Sequence, residues 1–338
     1  MLATWNAVGT VRIMRAAVRT RYGPPDVVRI EEVEKPKPRD GELLIKIHAT
    51  TLNRTDCGVR AAKPSILRLF LGLRKPRRTI IGTEFAGIVE ALGSGVTSFE
   101  VGDRVFGYDE RWFGSHAEYK TMRSDGALAA IPPNVTYEQA APGTEGSHYA
   151  LGFIRKARIQ QGQDVLVNGA TGAIGSTAVQ LIRDLGANVT AVCGTEHMDL
   201  VRGLGAARVI DYSAEDFTKI EGSYDVVLDA VGKSSFSRCK PLLKTGGTYL
   251  SSELGPRGQN PFLALVTPLV GGKKVMFPFP RYDQKVVQHL GELIQSGAFV
   301  PVVDKVYPLE QIAEAYRYAE SGQKVGNIVI SLNPSRGS

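Results

Sequence analysis

The sequence predicts an α/β protein in which a doubly wound, six-stranded parallel sheet interrupts a second, antiparallel β domain. Three observations carry that expectation. Short β-rich runs separated by Gly, Pro and charged residues fill the N-terminal part, and six apolar runs alternate with helical segments after Gln163. The C-terminal part then abandons the strand-helix rhythm.

The first runs are ELLIKIHAT, FAGIVEAL, DRVFGY and AEYKTM, spaced as in a compact antiparallel domain with a partly open barrel. The Pro-rich EKPKPRDGE reads as a turn between strands. The parallel strands are DVLVNG, NVTAVC, RVIDY, YDVVLDAVG, GTYLSSE and KKVMFPF. The helix after the first of them, AIGSTAVQLIRDLGA, sets Ile174, Ala178, Leu181, Ile182 and Leu185 at helical spacing, and Gly186 ends it in a left-handed conformation. Two helices, DQKVVQHLGELIQSG and LEQIAEAYRYAESG, alternate with strands VPVVDKVYPL and NIVISL. They return to the β domain, which therefore comprises residues 14–140 and 282–338 around a parallel-sheet domain at 141–281. Strand-like MRAAV begins at Met14, so Met14 is a candidate native start, with residues 1–13 an extension outside the fold.

With 338 residues and 43% apolar content, the chain exceeds the usual span of one layered domain. Cys57, Cys193 and Cys239 lie too far apart in sequence for a disulfide framework or a four-ligand zinc cluster, which implies a reduced, cytoplasmic protein. No apolar run approaches the ~20 residues that cross a bilayer. The net charge is +7, and Arg68, Arg74, Lys75, Arg77 and Arg78 crowd one stretch. A solvated loop is the plain reading of that stretch; nucleic acid is disfavoured because no aromatic platform interleaves the charges.

Chemistry concentrates in NGATGAIGS, where Ala170-x-Gly172-x-x-Gly175 joins an apolar strand to an amphipathic helix. It is a dinucleotide fingerprint with its first glycine replaced by alanine. Gly172 lets the backbone approach the pyrophosphate, Gly175 lets helix pack on strand, and the free N–H groups at Ala173 and Ile174 face the anion. About twenty residues on, where an NAD binder places Asp or Glu on the ribose, the chain reads Cys193-Gly194-Thr195. Gly194 leaves room for a 2′-phosphate, Thr195 can donate to it, and Tyr212 closes the following strand within reach. NADPH is favoured over NADH, although Glu196 is acidic and no Lys or Arg stands beside it.

With YGPPDVVRIEEV, TTLNRTDCGVR, IIGTEFAGIVEALGSGVTSFEVGDRVFGY, NGATGAIGSTAVQL, VIDYSAEDF and DVVLDAVG, the chain resembles a zinc-independent medium-chain dehydrogenase/reductase of the quinone oxidoreductase type from residue 14 to about 332. The resemblance implies a split GroES-like catalytic domain, a Rossmann nucleotide domain, a cleft between them and a homodimer. Zinc-dependent relatives carry a cysteine in the stretch matching LNRTD and a histidine in a GHE triplet; here Asn53 and Thr83 stand there. A metal has lost its ligands, and Cys57 with the distant His116 makes a poor substitute.

By the same resemblance, Asn53 and Asp56 face the nicotinamide, Asn53 as an amide donor and Asp56 either in catalysis or in a structural pair with Arg60. The tyrosine that quinone reductases often carry two positions beyond the aspartate is Gly58, which puts quinone specificity in doubt. Ser147 matches a small hydroxyl residue near the cofactor, while His148 reads more readily as structural than as a proton donor. Val231 and Gly232 after the fourth strand, Ser252 and Leu254 after the fifth, and Asn327 in the last complete the cofactor set. Three functions fit: a reductase of quinones or α,β-unsaturated carbonyls, an enoyl-thioester reductase, and a non-enzymatic NADPH-binding protein.

Overall fold

The computed structural model describes residues 12–277 and 283–332. Residues 1–11 of the expected extension, and the expected boundary at 281/282, lie outside the described residues. The chain opens with β1 (Ile13–Arg19), β2 (Val28–Glu34) and the long β3 (Glu42–Leu52). Helix α1 (Arg54–Ala61) and the single turn α2 (Arg68–Leu71) precede β4 (Glu84–Leu92), β5 (Arg104–Tyr108), β6 (Tyr119–Arg123) and β7 (Leu128–Ala130). The short α3 (Tyr137–Ala140) and α4 (Glu145–Ala157) lead into the parallel sheet.

That sheet contains β8 (Asp164–Asn168), β9 (Asn188–Cys193), β10 (Arg208–Asp211), β11 (Tyr224–Asp229), β12 (Leu243–Ser251) and β13 (Lys274–Met276). Its order is β10-β9-β8-β11-β12-β13, all parallel. The crossovers are α5 (Ala173–Asp184), α6 (Met198–Gly203), α7 (Phe236–Cys239) and α8 (Gln259–Val270). The strand order reverses between β8 and β11, and a ligand of such a sheet lies at the carboxyl ends of the strands beside that reversal. Pleating divides β8 between two apolar cores: Val165 and Val167 pack on the α4/α5 side, Leu166 on the α7/α8 side.

After α9 (Gln284–Ser296), β14 (Val303–Pro308), α10 (Ile312–Glu320) and β15 (Asn327–Ser331) join the first sheet, giving β14-β15-β3-β4-β5-β7 with β6 also on β3. This sheet departs from the all-antiparallel expectation at one pair. β14 and β15 run parallel, because α10 crosses over between them. Helix α9 serves two cores at once, with Val287 in the β-sheet core and Val286 and Leu290 in the α4/α5 core.

Candidate active site

The string Leu52-Asn53-Arg54-Thr55-Asp56 turns from β3 into α1. Asn53 accepts from the Asp56 backbone N–H through its side chain, and the Asp56 carboxylate accepts from the Asn53 N–H, both at 3.0 Å. This capping box satisfies two orphan donors of the first helical turn. Asp56 is fully buried in that task. The expected pairing with Arg60 is not formed: Arg60 instead meets Glu320 and the Gly23 carbonyl. Asp56 sits at the start of α1 while the Arg60 side chain reaches across to α10.

The amide group of Asn53 donates to Thr83 Oγ1 at 3.0 Å and to the carboxyl of Glu145. Both of its N–H bonds are therefore engaged, so it has none left for a substrate oxygen. Thr83, from the triplet leading into β4, lies 2.8 Å from Glu145 Oε2, and Thr55 Oγ1 lies 2.6 Å from Glu145 Oε1. The two positions at which zinc-dependent relatives carry a metal ligand thus converge here on a carboxyl group. Glu145 is the first residue of α4. Its backbone N–H and the N–H and hydroxyl of Thr144 donate to Glu84 Oε1 at 2.6, 3.0 and 2.7 Å, and Thr51 donates to the other oxygen of Glu84. Glu84 thereby fastens the start of α4 to β4.

Burial, with Glu110, Glu84 and Asp56 nearby, pushes the Glu145 carboxyl well above the ordinary glutamate value and favours its protonated form. Burial likewise raises Asp56 and Glu84. Burial lowers Lys324, which neighbouring carboxylates including Glu145 partly offset. His148 stacks on Tyr108 and meets the Tyr149 ring at a tilt, its Nδ1 lies 3.1 Å from the Thr144 carbonyl, and burial lowers it to about 4. It is neutral near pH 7. Burial lowers His116 to about 4 and raises the Cys57 thiol to about 12, so neither is charged at that pH. Among the described residues, no group of three or more His, Cys, Asp and Glu is arranged to hold a metal ion.

The dinucleotide turn abuts this cluster. A Cβ on Gly146 would strike the backbone of Ala173, so the residue after Glu145 touches the first residue of α5. Gly169 has φ +79°, a Cβ on Gly175 would overlap the Gly169 carbonyl, and Ala170 is fully buried. Gly172 caps α5, and a Cβ there would find one atom within 4 Å, at 3.6 Å. The turn therefore has the open face that a pyrophosphate needs, over the N–H groups of Ala173 and Ile174.

The loop of Val231 and Gly232 is drawn in by buried Asp229, which accepts from Gly232 N at 3.0 Å, Ser234 N at 2.9 Å and Asn168 Nδ2 at 2.9 Å. Gly232 packs on Glu253, between Ser252 and Leu254, and Arg54 reaches Glu253 at 4.0 Å. Gly326 N donates to the Thr171 carbonyl at 2.6 Å, which clips the start of β15 to the dinucleotide turn. Asn327 spends its side chain on the Val302 carbonyl at 3.0 Å, and Ser147 lies 3.5 Å from Thr177 of α5.

At the far end, Gly194 lies against Tyr212, whose hydroxyl would stand 3.2 Å from a Cβ at position 194. Thr195 is not the free donor expected: its hydroxyl donates to Asp211 and lies 2.9 Å from Ser213 Oγ. The parallel register that sets Cys193 opposite Asp211 puts an acidic side chain beside it.

Two residues that shape the site were not singled out in the sequence. Asp229 was one; an acidic residue ending an otherwise apolar strand was its signal. Glu145 was the other, signalled by an ionisable residue among small ones at the start of a helix, Thr144-Glu145-Gly146-Ser147.

Residues 39–133 match the alcohol dehydrogenase GroES-like domain, and residues 204–330 match the zinc-binding dehydrogenase domain. The chain is 30% identical to an NADPH-dependent alkenal/one oxidoreductase of Arabidopsis thaliana, over 94% of this chain and 79% of that one. It is 29% identical to a quinone oxidoreductase of Rattus norvegicus, over 95% and 98%. The structure superposes on a quinone oxidoreductase from Coxiella burnetii with a TM-score of 0.85 and 25% identity, covering 95% and 100%. With two matching domains that together cover most of the sequence and a relative 30% identical over nearly all of it, the chain belongs to the medium-chain dehydrogenase/reductase family of oxidoreductases.

Proposed function

We propose that the protein reduces a quinone or an α,β-unsaturated ketone or aldehyde with NADPH, without a metal, and that Glu145 is its proton donor. The observation that carries this is the Glu145 carboxyl, gripped by Asn53, Thr55 and Thr83 one residue from the dinucleotide turn. NADPH, when bound, supplies a hydride to the electrophilic carbon. The electron pair displaced onto the substrate oxygen or α-carbon must then be met by a proton, and a carboxyl kept protonated in a buried site is suited to donate it. Solvent restores the proton afterwards, since Glu145 retains 7% exposure. Asn53 acts through Glu145 by orienting it, and Asp56 acts by capping α1.

The amide and hydroxyl at positions 53 and 83 are poor zinc ligands, which supports a metal-free reaction. Gly194 and Tyr212 support NADPH over NADH, as does the NADPH dependence named for the Arabidopsis relative; Asp211 opposes it. Ser147, Val231, Gly232, Ser252, Leu254 and Asn327 complete the cofactor site in this reading. Homodimer formation is supported by α8, whose Phe262, Leu265, Leu269 and Val270 are exposed beside the edge strand β13. Three cysteines outside any disulfide fit a cytoplasmic setting, which cell fractionation checks.

A panel of quinones, enones and enoyl thioesters, followed by NADPH oxidation, tests the reading. Turnover of quinones or enones is expected. Turnover of thioesters alone, or of nothing, would overturn it.

A further inference from the structure

The basic stretch after α1 remains outside the chemistry described so far. Between Asp56 and Glu84 the chain has no acidic residue, while Arg60, Lys63, Arg68, Arg74, Lys75, Arg77 and Arg78 fall in that interval. All of these except Arg60 are exposed. Ile66, Leu69, Phe70 and Leu73 are exposed among them, Phe70 by 74% and Leu73 by 66%. The segment is nevertheless fastened to the body. Tyr22 donates to the Gly72 carbonyl at 2.8 Å and lies with its ring centroid 5.3 Å from the Arg68 guanidinium, while Arg77 N donates to the Leu71 carbonyl at 2.8 Å and closes the segment on itself. Trp112, more than half exposed, stands beside it, with the guanidinium of Arg78 4.4 Å and that of Arg111 5.4 Å from its ring centroid.

We propose that residues 63–78, with Trp112, dock the protein onto the surface of a bilayer containing anionic phospholipid. Charge complementarity selects this occupant. Basic side chains alone fit any polyanion, and exposed apolar side chains alone fit any apolar partner. A bilayer surface takes both together, with apolar groups at the acyl boundary, lysine and arginine at the phosphates, and tryptophan between. The segment is too short to span and suits only shallow insertion. It follows α1 directly, whose N-terminal end carries Asn53 as its cap and Thr55 in its first turn, so docking would set the cleft beside the acyl chains. Lipophilic quinones and enones partition there; this part of the inference rests on the proposed reduction, whereas docking itself does not.

The test sediments the full-length protein with phosphatidylcholine vesicles prepared with and without phosphatidylserine, at low and high salt, with no substrate present. Wild type is expected to pellet with the anionic vesicles and to be released by salt. Each charge lost in Arg74→Gln and Lys75→Gln should weaken partitioning about five-fold. Phe70→Ser and Leu73→Ser should each weaken it about ten-fold or more. Turnover of a water-soluble enone, or NADPH-induced thermal stabilisation if there is no turnover, reports that the variants are folded and should be unchanged. Failure of wild type to pellet would overturn the proposal, as would folded variants that pellet like wild type. Tight binding of a single-stranded oligonucleotide that survives Phe70→Ser, without vesicle binding, would assign the charges to nucleic acid instead.

Discussion

Replacing Glu145 by glutamine separates its acidity from its shape. The amide is isosteric: its oxygen can accept from Asn53 as the carboxyl does, and its nitrogen can donate to Thr55 Oγ1, 2.6 Å away in the native site. What disappears is the transferable proton. Loss of a positioned general acid costs roughly 10²–10⁴-fold, and the remaining 7% exposure lets water substitute in part, so about 10²-fold in kcat is expected. NADPH binding should stay within about two-fold, since no contact to the dinucleotide turn is changed.

Stability gives an independent readout. Burial and the surrounding carboxylates raise the Glu145 carboxyl above its ordinary 4.5, so the native state holds a proton that the unfolded chain releases. The stability this group contributes is fully present below pH 4.5 and lost as pH rises through the raised value, by at most about 1.4 kcal/mol per pH unit. Glu145→Gln should therefore gain Tm relative to wild type as the pH rises. Stopped-flow NADPH oxidation with an enone, across pH and in heavy water, measures the chemistry, and calorimetry measures Tm. Full kcat with an unchanged pH profile would refute the assignment of the proton to Glu145. A Tm difference that does not vary with pH would refute its protonated state.

NADPH should raise Tm at lower concentration than NADH, and Thr195→Asp should weaken NADPH while sparing NADH, because it adds a second carboxylate beside Asp211; equal or reversed potency of the two nucleotides in wild type would overturn the preference for NADPH. Turnover should survive chelator, and elemental analysis should find no stoichiometric zinc; one zinc per chain, lost together with activity, would contradict the reading of Asn53 and Thr83. Leu269→Asp, at a position 86% exposed, should convert a dimer to monomers in analytical ultracentrifugation, and a monomeric wild type would dismiss the role given to α8.

The parallel sheet and the dinucleotide turn were legible in the sequence because their signals are local. Val165, Val167 and the helical spacing of Ile174, Ala178 and Leu181 each report on neighbours a few positions away. The steric role of Gly175 is set within a single turn. The cluster around Glu145 was not legible. Its partners Thr83, Thr55 and Asn53 lie 62, 90 and 92 positions from Glu145, and only the meeting of the start of α4 with the starts of β4 and α1 brings them together. The engagement of Thr195 was hidden for a related reason, since Asp211 arrives from the neighbouring strand through parallel register. Arg60 appeared within reach of Asp56 by helical spacing, yet Glu320, 260 residues away, takes it.

The pairing of β15 has a consequence for the order in which the molecule can be made. It lines only the second half of β3, from Ala49 to Leu52, directly ahead of Asn53, while β6 lines the first half. Those four residues emerge from the ribosome roughly 280 residues before their partners, an interval on the order of tens of seconds at ~5–20 residues per second. The residues of the parallel sheet are translated wholly within that interval. The Asn53 turn is thus among the last parts of the nascent protein to gain its final shape, and it gains it together with the clip of Gly326 on the dinucleotide turn. A stop codon that removes β15 would strip the backbone support from Asn53, so an apparently peripheral truncation would act at the centre of the enzyme.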